Sequence, residues 1–287
     1  MIVRDALLRA AQHLERAGLD THEARREARL LLARAAGRDL SWVLAFDDQH
    51  LAGAVLDRFQ HWVRRRTDGE PVAYILGERE FWGLTLSVTP DTLIPRPETE
   101  HLVEWALEAG PSGPARVLDL GTGTGAIACA LASERPMWQV TAVDVSPAAL
   151  DVARQNVARL GLANVQCLLS DWFSGLQPEQ RWDLIVSNPP YIEAGDRHLE
   201  QGDVRFEPAG ALASGADGLD AIRHLIQQAP GFLVPGGHLL VEHGWNQGEA
   251  VRRLFGGEWT DVETRRDLAG HERLTGARLR GAEDAGT

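Results

Sequence analysis

Four consecutive residues, Asn188-Pro189-Pro190-Tyr191, follow the apolar run Asp183-Leu-Ile-Val-Ser187 and bring together an uncommon set of chemical capacities. An amide or exocyclic amino nitrogen is planar, and its delocalised lone pair makes it a poor nucleophile. The Asn188 side-chain oxygen and the Pro189 backbone carbonyl are two acceptors that can take both N–H bonds of such a group and aim its remaining lone pair. Prolines fix φ and remove backbone donors, which leaves that corner lined mainly by acceptors. Tyr191 can lay its ring against the held group and stabilise positive charge developing on nitrogen. The set suits a planar nitrogen attacking a methyl group. A proline turn closing a buried strand is the structural alternative, and the upstream residues decide between the two.

Such a corner has to be held by a rigid scaffold. From Ala115 onward, strand-like and helix-like stretches alternate, which implies an α/β fold with a mostly parallel sheet covered on both faces. Strands are expected over 116–120, 139–143, 165–169, 184–186 and 238–242. Helices are expected over 127–133, from Pro147 behind the cap Ser146 to Gly161, and near 219–228. Leu150, Ala153, Val157 and Leu160 form the expected buried stripe of the second of these, and Pro235-Gly236-Gly237 reads as a turn before the last strand.

Ligands of a doubly wound sheet bind beyond the carboxyl ends of its strands. Four successive strands here end in a polar or glycine-rich element. After the first comes Asp119-Leu120-Gly121-Thr122-Gly123-Thr124-Gly125, where glycines let the backbone approach a ligand and a helix N-terminus follows. Its match to G-x-G-x-x-G/A is loose, and alone it is compatible with NAD, a flavin or a non-phosphate nucleoside. Asp144 ends the second strand, 21 residues after Gly123, and can accept from both ribose hydroxyls. No arginine adjoins it to favour a 2′-phosphate, and Ser146 is better placed for the alternative role of helix cap. After the third strand, Asp171 can accept from an adenine amino group while Trp172 or Phe173 covers the base. The fourth element is Asn188-Pro189-Pro190-Tyr191. A dehydrogenase would need a proton donor or acceptor in that position, and none is there. S-adenosylmethionine therefore fits better than NAD, with in-line positioning and charge stabilisation supplying most of the rate.

The rest of the chain narrows the setting. Its 287 residues, 44% hydrophobic and 24% charged, suit a soluble globular protein of two domains. A net charge of −12 argues against a surface built for sequence-independent phosphate binding. Cys129 and Cys167 lack metal-ligand spacing and read as reduced core residues, so no metal is expected. No apolar run nears the length of a membrane span, and the N-terminus lacks a signal pattern, which together suggest a cytoplasmic protein. Residues 1 to about 70 read as a small helical bundle, with helices from Val3 to Gly18, from Asp20 or Thr21 to Gly37, and over 51–66. Arg64-Arg65-Arg66 reads as a solvated helix end. A strand is expected over 81–88, within a β-hairpin linker, before a helix from about Pro97 to Gly110. Arg266 to Arg273 fits a closing hairpin bearing surface charges, and Gly281 to Thr287 is expected to fray. Arg96, Glu207 and Glu242 have no decided role, His243 reads as structural, and the nine tryptophans read as packing residues.

Taken in order, Phe81-Trp-Gly, Ile94-Pro-Arg-Pro-Glu-Thr-Glu100, Asp119 to Gly125, Ser187 to Tyr191, Arg205-Phe-Glu-Pro208 and Glu242-His-Gly-Trp245 resemble the PrmC/HemK family of peptide-chain release factor glutamine methyltransferases. The resemblance covers most of the chain. It implies a Rossmann-like, class I S-adenosylmethionine-dependent methyltransferase domain over 97–280, a β-hairpin linker over 73–96 and a helical substrate-docking domain over 1–72. It further implies that Gly121, Thr122, Gly123, Thr124, Gly125, Asp144, Trp172 and Asn188 bind the cofactor, to which the reading of the strand ends adds Asp171. Asn188, Pro189, Pro190 and Tyr191 would hold the substrate amide, with Asn188, Pro189 and Tyr191 catalytic. The implied substrate is the glutamine of the Gly-Gly-Gln loop in class 1 release factors, and the enzyme is expected to act as a monomer without binding nucleic acid. Two other readings remain open at this point. An adenine amino group of DNA or RNA fits the same corner after base flipping, and the fold could serve only to bind a partner.

Overall fold

The computed structural model describes residues 1–281 and 284. The chain divides into two units, one made of Met1–Glu78 with Gln201–Phe206, the other of Arg79–Glu200 with Glu207 onward.

The first unit is helical: α1 (Val3–Arg16), α2 (Thr21–Ala36), α3 (Leu40–Ala45), α4 (Gly53–Thr67) and α5 (Val72–Leu76). Val3, Ala6, Ala10 and Leu14 of α1 pack on Ala24, Ala28, Leu31 and Leu32 of α2 and on Phe59 and Val63 of α4. The spacing that predicts α1 and α2 is the spacing that buries them. Asp20 caps α2 by accepting from the His22 and Glu23 N–H groups, and Gly37 ends it at φ 64°. The short helices α3 and α5 have too few turns to show a period and are not evident in the sequence. The arginine run is not a uniformly solvated helix end. Arg64 is exposed, but Arg66 is buried, donating to Glu27 Oε2 at 2.7 Å and to Asp203 Oδ1 at 2.8 Å. Those carboxylates come from α2 and from 201–206, segments whose proximity local sequence does not reveal.

The second unit opens with a hairpin of β1 (Glu78–Phe81) and β2 (Leu84–Ser87). Trp82 and Gly83 form its turn at φ 52° and 68°, so the strand expected over 81–88 is broken near its start. A 3₁₀ turn, Pro97–Thr99, leads into α6 (Glu100–Ala109). Then follow β3 (Ala115–Leu120), α7 (Ala126–Glu134), β4 (Trp138–Asp144), α8 (Pro147–Leu160), β5 (Val165–Leu169), β6 (Trp182–Ser187), α9 (Asp220–Gln228), β7 (Leu233–Glu242), α10 (Gly248–Arg252), β8 (Trp259–Arg266) and β9 (Glu272–Leu279). Among the described residues, seven strands form one sheet in the order β5-β4-β3-β6-β7-β9-β8. The first five are parallel, and β9 runs antiparallel to both its neighbours.

Both faces of this sheet are buried. Val117, Val140, Leu184 and Val186 face one core with α6 and α7; Leu118, Leu120, Ile185 and Leu239 face another with α9. Helix α7 is apolar all round and buried from Ala126 to Ala132, as a helix enclosed by the fold must be. Trp105, Trp138, Trp182 and Trp259 lie in these cores, while Trp245 is exposed. Pro235-Gly236-Gly237 is no turn before a strand. It lies within β7, where the register against β6 jumps from Leu233 to His238 and Gly236 takes φ 83°. The segment between Arg266 and Glu272 does close a hairpin, but Asp267 is buried and accepts from Arg273 at 3.1 Å rather than facing solvent. Of the segment expected to fray, Asp284 accepts from Arg278, and residues 282, 283 and 285–287 lie outside the described residues.

Candidate active site

The strand order reverses between β3 and β6, and the carboxyl ends of β3, β4, β5 and β6 meet around that point. Gly121, Gly123 and Gly125 take φ of 72°, 54° and 80°, a region closed to most side chains. The N–H groups of Gly121 and Thr122 both donate to Val143 O at 2.9 Å, bending the loop over the end of β4. Asp119 Oδ2 accepts from Thr122 Oγ1 at 2.6 Å and from Ala128 N at 3.2 Å, tying the loop to α7. Burial pushes the Asp119 carboxyl up to about 7 against these hydrogen bonds, and Oδ1 has no partner. A Cβ on Gly125 would stand 3.3 Å from Ala153 Cβ, whereas one on Gly123 would meet nothing. Gly125 thus serves helix packing, and Gly123 faces open space.

Asp144 holds the next corner. Its Oδ2 accepts from Gly123 N and its Oδ1 from Ser146 N, each at 2.9 Å. Each carboxylate oxygen keeps a second lone pair, so the residue shapes the loop and can still receive two hydroxyls. Ser146 caps α8 by accepting from Ala149 N. Asn156 of α8, fully buried, accepts from Ser87 N at 2.7 Å and donates to Ser87 O and Thr124 O. It thereby joins the hairpin to the glycine loop. The apolar pattern of α8 hides this contact, and the stripe expected there is shifted: Asn156 is buried, while Val157 and Leu160 are half-buried.

After β5, Ser170 Oγ donates to Trp172 O and accepts from Gly175 N, a local net that sets Trp172 at φ 49°. The Trp172 ring lies 3.5 Å from where a Gly121 Cβ would be. Phe173 is instead a core residue, stacked on Phe232 at 4.7 Å, so of the two aromatics only Trp172 is available to a ligand. After β6, Asn188 Nδ2 donates to Thr99 Oγ1 at 3.1 Å, and Tyr191 OH donates to Glu242 Oε1 at 3.4 Å.

These ends enclose a cavity of about 350 Å³. Gly121, Gly123, Asp144, Asp171, Trp172, Asn188 and Pro190 all line it. Thr122, Thr124, Gly125, Pro189 and Tyr191 do not. The rest of the wall is Val145, Ser146, Ala149 and Ser170 beside these strand ends, with Asp91 to Leu93 and Pro208, Gly210 and Ala211 from two loops. Sequence reasoning gave none of these a ligand-binding role. Val145 offered a signal, as an apolar residue between Asp144 and the cap Ser146, and is 65% exposed. The two loops join the site only through the fold. Arg96 is not in the wall: it donates to both oxygens of fully buried Glu207 at 2.8 Å and so anchors the Pro208 loop. His243 is buried, its Nε2 2.8 Å from Thr275 Oγ1, and burial depresses its pKa, consistent with a structural role. The charged groups lining the cavity are Asp91, Asp144 and Asp171, with no lysine or arginine among the described residues there. A larger cavity of about 570 Å³ in the helical unit is lined by residues such as Ala10, Phe59 and Val63 and carries no glycine loop or acceptor pair.

Residues 5–77 match the family model of the PrmC N-terminal domain and 99–214 that of the methyltransferase small domain. The release factor glutamine methyltransferase of Escherichia coli is 52% identical over 88% of this chain and 91% of its own length. That of Pseudomonas aeruginosa is 53% identical over 89% and 93%. Among solved structures, a Pyrococcus furiosus methyltransferase shares the fold at 21% identity and TM-score 0.52, covering 69% of this chain and 90% of that one. A T. thermophilus 16S rRNA N2 G1207 methyltransferase in complex with AdoMet and guanosine does so at 22% and 0.52, covering 71% and 50%. With half of its residues shared across nearly its whole length, the chain belongs to the release factor glutamine methyltransferase family.

Proposed function

We propose that this enzyme transfers a methyl group from S-adenosylmethionine to the side-chain amide nitrogen of the glutamine in the Gly-Gly-Gln loop of class 1 release factors. The observation that carries this reading is one cavity shared by the glycine loop, Asp144 and Asn188. The cavity suits a cationic, phosphate-free nucleoside: its charged lining is wholly acidic, and Gly121 and Gly123 leave the backbone bare. A pyrophosphate cofactor would bring two or more negative charges against three carboxylates.

When bound, S-adenosylmethionine supplies a sulfonium-activated methyl group. Gly121 and Gly123 give its body close backbone contact, Asp144 receives the ribose hydroxyls, and Asp171 and Trp172 take the base. Asn188 Oδ1 and the Pro189 carbonyl accept the two amide N–H bonds, which orients the nitrogen and concentrates charge on it. The methylated nitrogen then loses a proton to solvent, so no side-chain base is required. Tyr191 stiffens this corner from behind the cavity wall. Thr122, Thr124 and Gly125 maintain the loop's shape. The helical unit is the docking element for the release factor. No helix among the described residues is long and apolar enough to cross a membrane, and a cytoplasmic, monomeric enzyme accords with a substrate drawn from translation.

The test is incubation with methyl-labelled cofactor and either a class 1 release factor or an adenine-containing oligonucleotide. Label is expected on the release factor alone. Label on adenine would transfer the assignment to nucleic acid.

A further inference from the structure

Asn188 can serve an amide substrate only if its oxygen, not its nitrogen, faces the incoming N–H bonds. The two ends of an asparagine amide are nearly the same shape, so their orientation is fixed by hydrogen-bond partners rather than by packing. Here the fixing partner is Thr99, on the 3₁₀ turn that precedes α6. Thr99 Oγ1 accepts from Asn188 Nδ2 at 3.1 Å, and Thr99 is only 4% exposed. Its own proton therefore needs an acceptor inside the fold. The Glu242 carboxylate at the end of β7 lies near enough for the Thr99 hydroxyl to favour its charged form, and its Oε1 accepts from Tyr191 OH at 3.4 Å. Glu242 is 2% exposed, and its buried Oε2 has no hydrogen-bond partner, so it is open to accept the Thr99 proton.

We propose that Thr99 and Glu242 form a one-way hydrogen-bond relay that holds the Asn188 amide with its oxygen toward the methyl-accepting nitrogen, making Thr99 and Glu242 positioning residues for methyl transfer. An ionised carboxylate can only accept, so Thr99 must donate to it and can only accept from Asn188. The direction runs from Asn188 through Thr99 to Glu242. A protonated Glu242 can donate to Thr99 instead. Thr99 is then free to donate toward Asn188, and the amide can turn its nitrogen to the substrate. Burial raises the Glu242 carboxyl to about 7, with Glu98 pushing the same way and Thr99, Arg273 and Tyr191 opposing. Those groups come from the 3₁₀ turn, from β9 and from the segment after β6, the elements that surround Glu242.

The inference rests on the reading of Asn188 as the amide-holding residue. It is tested with the full enzyme and a class 1 release factor by comparing native enzyme, Thr99→Val, Thr99→Ser and Glu242→Gln. Thr99→Val keeps the shape and removes the hydroxyl. It should lower kcat about tenfold while leaving cofactor affinity, measured by calorimetry, within about twofold. Thr99→Ser should restore kcat to within about threefold of native. The acid-side fall of kcat between pH 8 and 6 should shrink in Glu242→Gln, because the amide that replaces the carboxyl does not titrate. Native kcat in Thr99→Val, or an unchanged acid limb in Glu242→Gln, would overturn the relay. Should Thr99→Val fail to fold, the Glu242→Gln profile decides. A native enzyme that leaves glutamine unmethylated sinks the functional reading instead, so the two failures are distinguishable.

Discussion

Asn188 stands where the two halves of the chemistry meet, since it lines the cavity beside the glycine loop and follows directly on the strand that presents the acceptor corner. On the proposed function, its replacement by alanine removes one of the two acceptors assigned to the attacking nitrogen. Such groups are typically worth about 10²-fold in kcat, and Asn188→Ala should lose that much with its thermal midpoint nearly unchanged. Asp119 makes a different prediction, about pH and stability. Its folded pKa is raised by burial from 3.8 to about 7, so between those values the folded state holds a proton that the unfolded state has released. Stability from this group is therefore present at low pH and is lost as pH rises toward 7. In urea melts from pH 4 to 8, the stability of Asp119→Asn relative to native should improve as pH rises. A relative stability independent of pH would mean that Asp119 is ionised throughout. At this scale the sequence was informative where chemistry is local. Gly121, Gly123, Asp144, Trp172 and Asn188 could be read from their strand ends, and all line one cavity. Thr99 and Asn156 could not be read, because a threonine and an asparagine acquire their meaning from partners 89 and 69 residues away.

The elements are specified mainly by their ends. Ser146 with Pro147 begins α8 and Gly161 at φ 67° ends it; Asp20 and Gly37 do the same for α2. Ser146→Ala should cost about 1 kcal/mol in chemical denaturation, the usual value for a lost cap. Gly125→Ala should cost more, about 2 kcal/mol, since it combines a positive φ with a Cβ set 3.3 Å from Ala153. Because Gly125 holds the loop without lining the cavity, calorimetry should show cofactor affinity reduced only as far as the loop shifts. The elements that eluded the sequence have physical reasons in common. Helices α3 and α5 are too short to display a period, and the Trp82-Gly83 turn sits inside an alternating apolar pattern. Pro235-Gly236-Gly237 has turn composition but is absorbed as a bulge, because the parallel pairing of β6 with β7 resumes at His238. Local composition marks where a chain can bend, and pairing decides whether it leaves the sheet.

For the whole molecule, the helical unit and the methyltransferase unit have separate cores, and each carries a buried charge that must be matched within it. In the helical unit, Arg66 is held by Glu27, whose pKa burial raises against the pull of that guanidinium. Arg66→Met leaves Glu27 buried without its partner and should cost about 3 kcal/mol, measured as a shift in the unfolding midpoint. If the loss is below about 0.5 kcal/mol, the pair is solvated and its structural role is void. The parallel sheet with covering helices and the helical N-terminal region were available from motif order and periodicity, whereas the units divide after Glu78, inside the segment expected to be a separate linker. The proposed relay behind Asn188 and the loops that complete the cavity were not available in this way, because they are assembled from segments far apart in the chain. The central claim is that this fold aims a glutamine amide nitrogen at a methyl donor. The most direct test is tandem mass spectrometry of a class 1 release factor after incubation with the enzyme and S-adenosylmethionine. The account predicts one added methyl group on the side-chain nitrogen of the Gly-Gly-Gln glutamine, absent when Asn188→Ala replaces the native enzyme. An unmodified glutamine, or a methyl group carried on another residue, would contradict it.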